Sequence, residues 1–240
     1  GTIGDIESLP FIEAARQFKK ERPEGDVCFI HVTLVPYIAA AHEVKTKPTQ
    51  HSVKELRSLG VQPDFIVCRS DHEITDQVRE KIALFCDVEV EHVLSCVDSP
   101  SIYQVPLSLF DQEFDEQVLK RMNLSAPEAD LSPLKNFLAA ADACEGEVHI
   151  AIVGKYVSLP DAYLSVIEAL GHAAVANGVH ASIHLVDGEE LSAETVQATL
   201  GDMDGILVPG GFGQRAFEGK IVAAQFAREH NIPYLGICLG

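Results

Sequence analysis

Apolar, β-branched runs alternate with amphipathic stretches along almost the whole chain, and this rhythm leaves few folds open. Residues 26–33, 64–69 and 92–96 read as strands that are apolar nearly throughout rather than at every second position. Helical stretches are expected at 49–59, with Ser52 and Glu55 as a capping box and Gly60 as a stop, at 73–85 and at 105–122. Strands of this kind, separated by helices, call for a parallel sheet covered on both faces. The polar stretch 123–132, with Pro127 inside it and Pro133 just beyond, reads as a linker into a helix at 133–144. The rhythm then restarts, with strands at 148–153, 182–186, 204–208 and 233–237 and helices at 161–177 and 219–230. The expected class is α/β, with two doubly wound parallel-sheet domains. The expected division is a first domain at 1–122, a linker and helix at 123–147, and a second domain at 148–240.

Composition excludes several function classes. The 240 residues carry 36 acidic against 18 basic side chains, a formal charge of -18. That field repels phosphate polymers and anionic lipid, so neither nucleic acid nor membrane is an expected partner. No apolar run approaches the ~18–20 residues of a membrane span, and no secretory signal pattern is read, so a cytoplasmic protein is expected. A nucleotide remains admissible if basic residues gather in one pocket. Cys28, Cys68, Cys86, Cys96, Cys144 and Cys238 show neither CxxC nor zinc spacing; the first five read as the buried thiols of a reduced protein, Cys238 stands apart, and no metal site is expected. The chain starts Gly1-Thr2 without Met and stops just after an apolar run at Leu239-Gly240. A fragment of a longer protein is expected, with both domains truncated.

Four constellations carry chemistry. Gly236-Ile237-Cys238-Leu239-Gly240 closes the strand 233–237. A Cys flanked by glycines at a strand end has the form of a nucleophile elbow, with the thiol pushed out at the carboxyl edge of the sheet. A buried Cys near a turn is the plainer alternative. Pro209-Gly210-Gly211-Phe212-Gly213 ends the preceding strand; its glycines free backbone N–H groups for an oxyanion, or it is an ordinary turn. Ligands gather at the carboxyl edge of such sheets, so the two motifs together suggest acyl transfer from an amide through a Cys thioester. Lys45-Thr46-Lys47-Pro48-Thr49-Gln50 precedes a helix and reads as a phosphate site or as a solvated basic loop. Gly1-Thr2-Ile3-Gly4-Asp5-Ile6-Glu7 places two carboxylates at a helix start. They would cap the helix, hold Mg²⁺ or read a sugar hydroxyl, with capping the commonest of the three.

These residues, with the segments 1–10, 42–56, 69–71, 81–86, 153–170 and 208–240, resemble the cytidine triphosphate synthase family. The resemblance covers essentially the whole chain. It implies the C-terminal half of a P-loop-type amidoligase domain joined to the N-terminal half of a flavodoxin-like class I glutaminase domain. In that family ATP phosphorylates the 4-oxygen of UTP and ammonia displaces the phosphate to give CTP. L-glutamine supplies the ammonia at a Cys-His-Glu triad.

Carried over residue by residue, the resemblance gives UTP and CTP contacts at Asp5, Ile6 and Glu7, at Lys45, Thr46, Lys47, Pro48, Thr49 and Gln50, and at Lys81. The triphosphate would lie against Lys45, Lys47 and Gln50. Val97, Asp98 and Ser99 match a segment that touches the adenine of ATP, although the residues differ from the family's usual ones. Cys238 matches the nucleophile, and Gly211 with the backbone of Leu239 the oxyanion hole. The resemblance puts the P-loop and the Mg²⁺ ligands upstream of Gly1 and the triad His and Glu beyond Gly240, so these 240 residues alone are expected to be inactive. It further implies GTP as allosteric activator, CTP as feedback inhibitor and a homotetramer. A synthetase amidating a cobyrinic or biotin-precursor acid is the rival of like mechanism, against which the 45–50 segment speaks. A noncatalytic nucleotide-binding or assembly module is the rival of another class, against which the thiol at the elbow speaks.

Overall fold

The structure, a computed structural model, describes residues 2–211 and 213–240, without the side chain of Pro160. Gly1 and Phe212, each within a motif named above, lie outside the described residues. The chain divides into two compact units, one running to Leu131 and the other from Ser132.

In the first unit, helix α1 (Leu9–Glu21) leads to strand β1 (Ile30–Leu34), then a short hairpin, β2 (Tyr37–Ile38) and β3 (Glu43–Val44). Helix α2 (Lys47–Ser58), strand β4 (Phe65–Ser70), helix α3 (Asp76–Cys86) and strand β5 (Val93–Val97) follow, then helices α4 (Val105–Phe110) and α5 (Phe114–Arg121). The sheet is parallel in the order β1-β4-β5, with Val32 beside Val67 and Val67 beside Leu94. Ile66 and Cys68 of β4 pack with Val53, Ile82, Cys86 and Val93 into the core. Burial pushes the Cys68 thiol up to about 12 and that of Cys86 to about 11, as inert structural thiols require.

Three expectations change here. The central strand β4 is covered, but β1 alternates: His31 and Thr33 are buried while Ile30, Val32 and Leu34 are about half exposed. The capping box at Ser52 and Glu55 is absent, because α2 starts earlier, with Thr46 as N-cap and Pro48 in the first turn. Ser52 thereby falls in the helix interior, where its hydroxyl meets His31 Nε2 at 2.8 Å. The single helix expected at 105–122 breaks at Glu113, which adopts a left-handed φ of 58°. The break lets the Gln112 amide reach β5: its Nε2 donates to the Ser95 carbonyl at 2.9 Å, and its Oε1 accepts from the Ser95 N–H at 2.8 Å.

The second unit holds α6 (Ser132–Asp142), β6 (Glu147–Gly154), α7 (Leu164–Ala176), β7 (His180–Asp187), α8 (Val196–Leu200), β8 (Gly205–Val208), α9 (Phe217–His230) and β9 (Tyr234–Gly236). Its sheet is parallel, in the order β7-β6-β8-β9. Ala151, Val153, Ile206 and Val208 form one core with Leu200, Ala223, Phe226 and Ala227, and Ile152 and Leu207 pack with Tyr163 in another cluster. The chain leaves β6 toward β7 on one side and returns to β8 on the other. The carboxyl ends of β6 and β8 therefore flank a topological switch point, the crevice where open α/β sheets bind ligands. At the end of this sheet β9 is exposed along its length. No helix among the described residues is long and apolar enough to cross a membrane.

Candidate functional site

The second unit gathers its motifs at the carboxyl edge of β8 and β9. Beyond β9, the Ile237 N–H donates to the Val208 carbonyl at 3.0 Å and the Gly240 N–H donates to the Ile237 carbonyl at 2.9 Å. Between these bonds Cys238 takes a φ of 59°, a left-handed conformation for a non-glycine residue, and its thiol is exposed. Glycine is required on both sides, since a Cβ on Gly236 would strike the Gly240 carbonyl and one on Gly240 would strike that of Val208. A Cβ placed on Gly210 would lie 3.2 Å from the Cys238 Cβ and 3.8 Å from its Sγ, so the Pro209–Gly211 loop lies directly against the thiol. Gly211 carries a φ of 150°, with Lys155 Cε 3.0 Å from where its Cβ would be. Leu239, the other oxyanion candidate, follows Cys238 in the turn and is exposed.

Side chains that the motif reading did not name surround this edge. The hydroxyl of buried Tyr163 accepts from the N–H groups of Lys155 and Tyr156 at 3.0 and 3.1 Å, fixing the turn after β6. Arg215 donates to the Lys155 carbonyl at 2.6 Å and pairs with Glu189 at 3.5 Å. The cations of Lys155 and Arg215 lie 4.9 and 5.6 Å from the Tyr156 ring centroid. Lys220 is buried and its Nζ donates to the Pro209 carbonyl at 2.9 Å. Burial first, then the Lys155 ammonium, push it below the usual lysine range, opposed by Cys238 and Tyr156. A positive neighbourhood beside the thiol thus stands in a chain whose net charge is -18. Two signals in the sequence point to these groups. Lys155 and Tyr156 follow directly on a strand that ends at the switch point, and Lys220 shares helical spacing with the buried Ala223 and Ala227.

In the first unit the 45–50 segment links the β2–β3 hairpin to α2. Thr46, Thr49 and Gln50 are buried. Gln50 Nε2 donates to Thr46 Oγ1 at 3.0 Å, and Thr49 Oγ1 donates to the Leu34 carbonyl at 3.0 Å. Those side chains fix the helix start, while Lys47 and Pro48 face solvent and Lys45 is partly exposed. Lys45 pairs with Glu43, whose carboxyl is held below its usual range by Lys45 and, more weakly, by Lys81. Lys45 and Lys81 thus converge on one carboxylate. Lys47 Nζ lies 5.7 Å from the Phe85 ring centroid.

Asp5 caps no helix N–H with its side chain; its carboxylate accepts from the Thr2 N–H at 3.1 Å, and Ile6 is 84% exposed. No hydrogen bond or ion pair among the described residues joins Asp5, Ile6 or Glu7 to residues 45–50. A cavity of about 680 Å³ along the open side of β1 is lined by Thr2, Ile3, Val32, Pro48, Ser52 and Arg69 among others, and by none of Asp5, Ile6 and Glu7. Val97 ends β5. Asp98 beside it pairs with Arg69 at 3.1 Å, and the Ser99 hydroxyl bonds Gln104. No group of three or more His, Cys, Asp or Glu side chains among the described residues is placed to hold a metal ion.

Comparison with known proteins follows the same division. The family model described as CTP synthase N-terminus matches residues 1–124, and that described as glutamine amidotransferase class-I matches 158–240. CTP synthase of Clostridium acetobutylicum is 53% identical over 240 residues, all of this chain and 45% of that protein. CTP synthase of Symbiobacterium thermophilum is 56% identical over 245 residues, again 100% of this chain and 45% of the relative. The chain thus spans somewhat under half the length of the curated relatives it matches. A solved Trypanosoma brucei CTPS glutaminase domain with bound acivicin is 47% identical over 39% of this chain and 37% of that one, with a TM-score of 0.37. The first family model alone takes in more than half of the chain, and the second covers the elbow of Cys238 with its glycine loop: the chain belongs to the CTP synthase family.

Proposed function

We propose that this chain serves an ATP-dependent ligase that aminates UTP to CTP with ammonia drawn from glutamine. The observation that carries the reading is the exposed Cys238 at a φ of 59°, pressed against the Pro209–Gly211 loop at the carboxyl edge of a parallel sheet. A non-glycine residue is held in that conformation only where the surroundings demand it, and such strain concentrates at working sites.

The chemistry follows from the placement. The Cys238 sulfur attacks the side-chain amide carbon of glutamine. The oxygen of the resulting tetrahedral intermediate accepts hydrogen bonds from the backbone N–H groups of Gly211 and Leu239. The C–N bond then breaks, the nitrogen leaves as ammonia once protonated, and water hydrolyses the thioester to glutamate. The family resemblance assigns that proton to a histidine outside these residues.

In the first unit, Lys45, Lys47 and Lys81 supply the charge for the UTP triphosphate, with Gln50 beside it, while Thr46, Pro48 and Thr49 shape the helix start beneath. Asp5, Ile6 and Glu7 address the nucleoside, and Val97, Asp98 and Ser99 approach the adenine of ATP. The family resemblance assigns the Mg²⁺ ligands to residues outside these 240, and no step here passes through it. GTP activation, feedback inhibition by CTP, a homotetramer and a cytoplasmic location complete the reading. A glutamine-like electrophile added to the full-length protein tests the site. Peptide mass mapping should find the adduct on Cys238, with glutamine protecting against it. An adduct elsewhere, or none, would remove the assignment.

A further inference from the structure

Lys220 stands out because an ammonium is costly to bury and this one is 6% exposed. It sits in the first turn of α9, on the same side as Ala223 and Ala227, where an apolar residue would pack without cost. Its Nζ donates to the Pro209 carbonyl at 2.9 Å. Pro209 is the residue with which the chain leaves β8, immediately before the two glycines that lie beside the thiol.

Peptide planarity makes this contact consequential. In a trans peptide the C=O and N–H point in opposite directions. A tether on the Pro209 oxygen therefore fixes the plane of the Pro209–Gly210 peptide and the side to which the Gly210 N–H points. The Gly210–Gly211 peptide hangs from that plane. Glycines without such a tether would rotate between several orientations, and an oxyanion is stabilised only by donors already aimed at it. A positive charge near Cys238 is a by-product that any surface lysine would supply. A buried lysine bonded to the root of the glycine loop supplies orientation as well.

We propose that Lys220 is a positioning residue for glutamine hydrolysis: its ammonium pins the Pro209 carbonyl and so sets the Gly210–Gly211 peptide, whose Gly211 N–H meets the oxyanion that forms when Cys238 attacks the amide. The inference rests on the reading of Cys238 as the nucleophile.

The test compares Lys220→Met with the unaltered protein at full length. Methionine keeps the length and apolar body of the side chain and removes the donor. The turnover number for glutamine hydrolysis should fall about 10–100-fold, below the loss seen when an oxyanion donor itself is deleted, with KM for glutamine unchanged. Alkylation of Cys238 by iodoacetamide is a displacement at saturated carbon that needs the thiolate but no oxyanion, and its rate should fall far less than turnover, by no more than the lost charge beside the thiol takes. CTP formation from added ammonia should also hold. Unchanged glutamine turnover would overturn the proposal. So would alkylation falling in step with turnover, which would place the effect on the thiol, or a parallel loss of the ammonia-dependent reaction, which would make Lys220 a folding residue. Cys238→Ala is assayed beside it. If that variant still hydrolyses glutamine, the nucleophile assignment itself fails, a result separable from any outcome at Lys220.

Discussion

At the scale of single residues, the carboxyl edge of the second unit trades stability for geometry. A left-handed conformation costs a non-glycine residue roughly 1–2 kcal/mol, and Cys238 bears it at φ 59°. Replacing it by glycine should make the second unit more stable than replacing it by alanine, by about 1 kcal/mol, because glycine accepts that φ freely while its unfolded chain gives part of the gain back. Hydrogen exchange across β8 and β9 in the full-length variants reads this order; equal protection would mean that the turn is unstrained. In the first unit the charges nearest the helix start make the corresponding prediction. Lys47 is exposed, with its ammonium 5.7 Å from the Phe85 ring centroid, so Lys47→Ala should leave folding alone. One charge-assisted contact is worth about 1.5–3 kcal/mol, which converts to a ~10–100-fold weaker UTP affinity, read by titration; an unchanged affinity would make Lys47 a solvated surface residue. Of these features, the thiol and its flanking glycines were legible in the sequence because the chemistry dictates residue type at fixed spacing. Tyr163 and Arg215 were not, because they act through backbone atoms that only the fold brings within reach; for Lys220 the helical spacing told of burial but not of its bond to the Pro209 carbonyl.

Secondary-structure elements tell a similar story one level up. Strands and helices emerged near their expected positions because apolar β-branched runs and 3.6-residue periodicity report local structure. The departures came from tertiary partners. Ser52 looked like a cap until α2 began at Lys47 and its hydroxyl went to His31. The 105–122 stretch looked like one helix until Gln112 was claimed by the backbone of β5. Asp64, just before β4, ties several elements together. Its carboxylate accepts from the Phe29 N–H at 2.7 Å, from Arg121 of α5 at 2.7 Å and from Lys19 of α1 at 3.3 Å. Burial raises its pKa, but these donors outweigh burial and hold the carboxyl below its ordinary range. A depressed carboxyl contributes stability above its unfolded value and loses it as pH falls through its folded one. Asp64→Ala should therefore cost about 3 kcal/mol near neutrality and less in acid, while Asp64→Asn, which keeps an acceptor for Phe29, should cost less at neutrality. Amide protection of α1 and α5 in the full-length protein, followed from neutral to acid pH, tests this. A loss in Asp64→Ala that does not shrink in acid would assign the effect to packing alone.

Across the whole molecule, the second unit brings its two glycine motifs together at the carboxyl edge of a parallel sheet, and this layout was legible in the sequence from the order of strands and the motifs that end them. What the sequence did not convey was the open side of β1, since an apolar run looks the same whether a neighbour covers it or not. The central claim is a division of labour: amide hydrolysis at Cys238 in the second unit, amination of the nucleotide with the first. One pair of assays on the full-length Cys238→Ala variant, at saturating ATP and UTP, tests it most directly. CTP formation should vanish with glutamine as nitrogen donor and persist with added ammonia. Equal loss with both donors, or retained activity with glutamine, would contradict it.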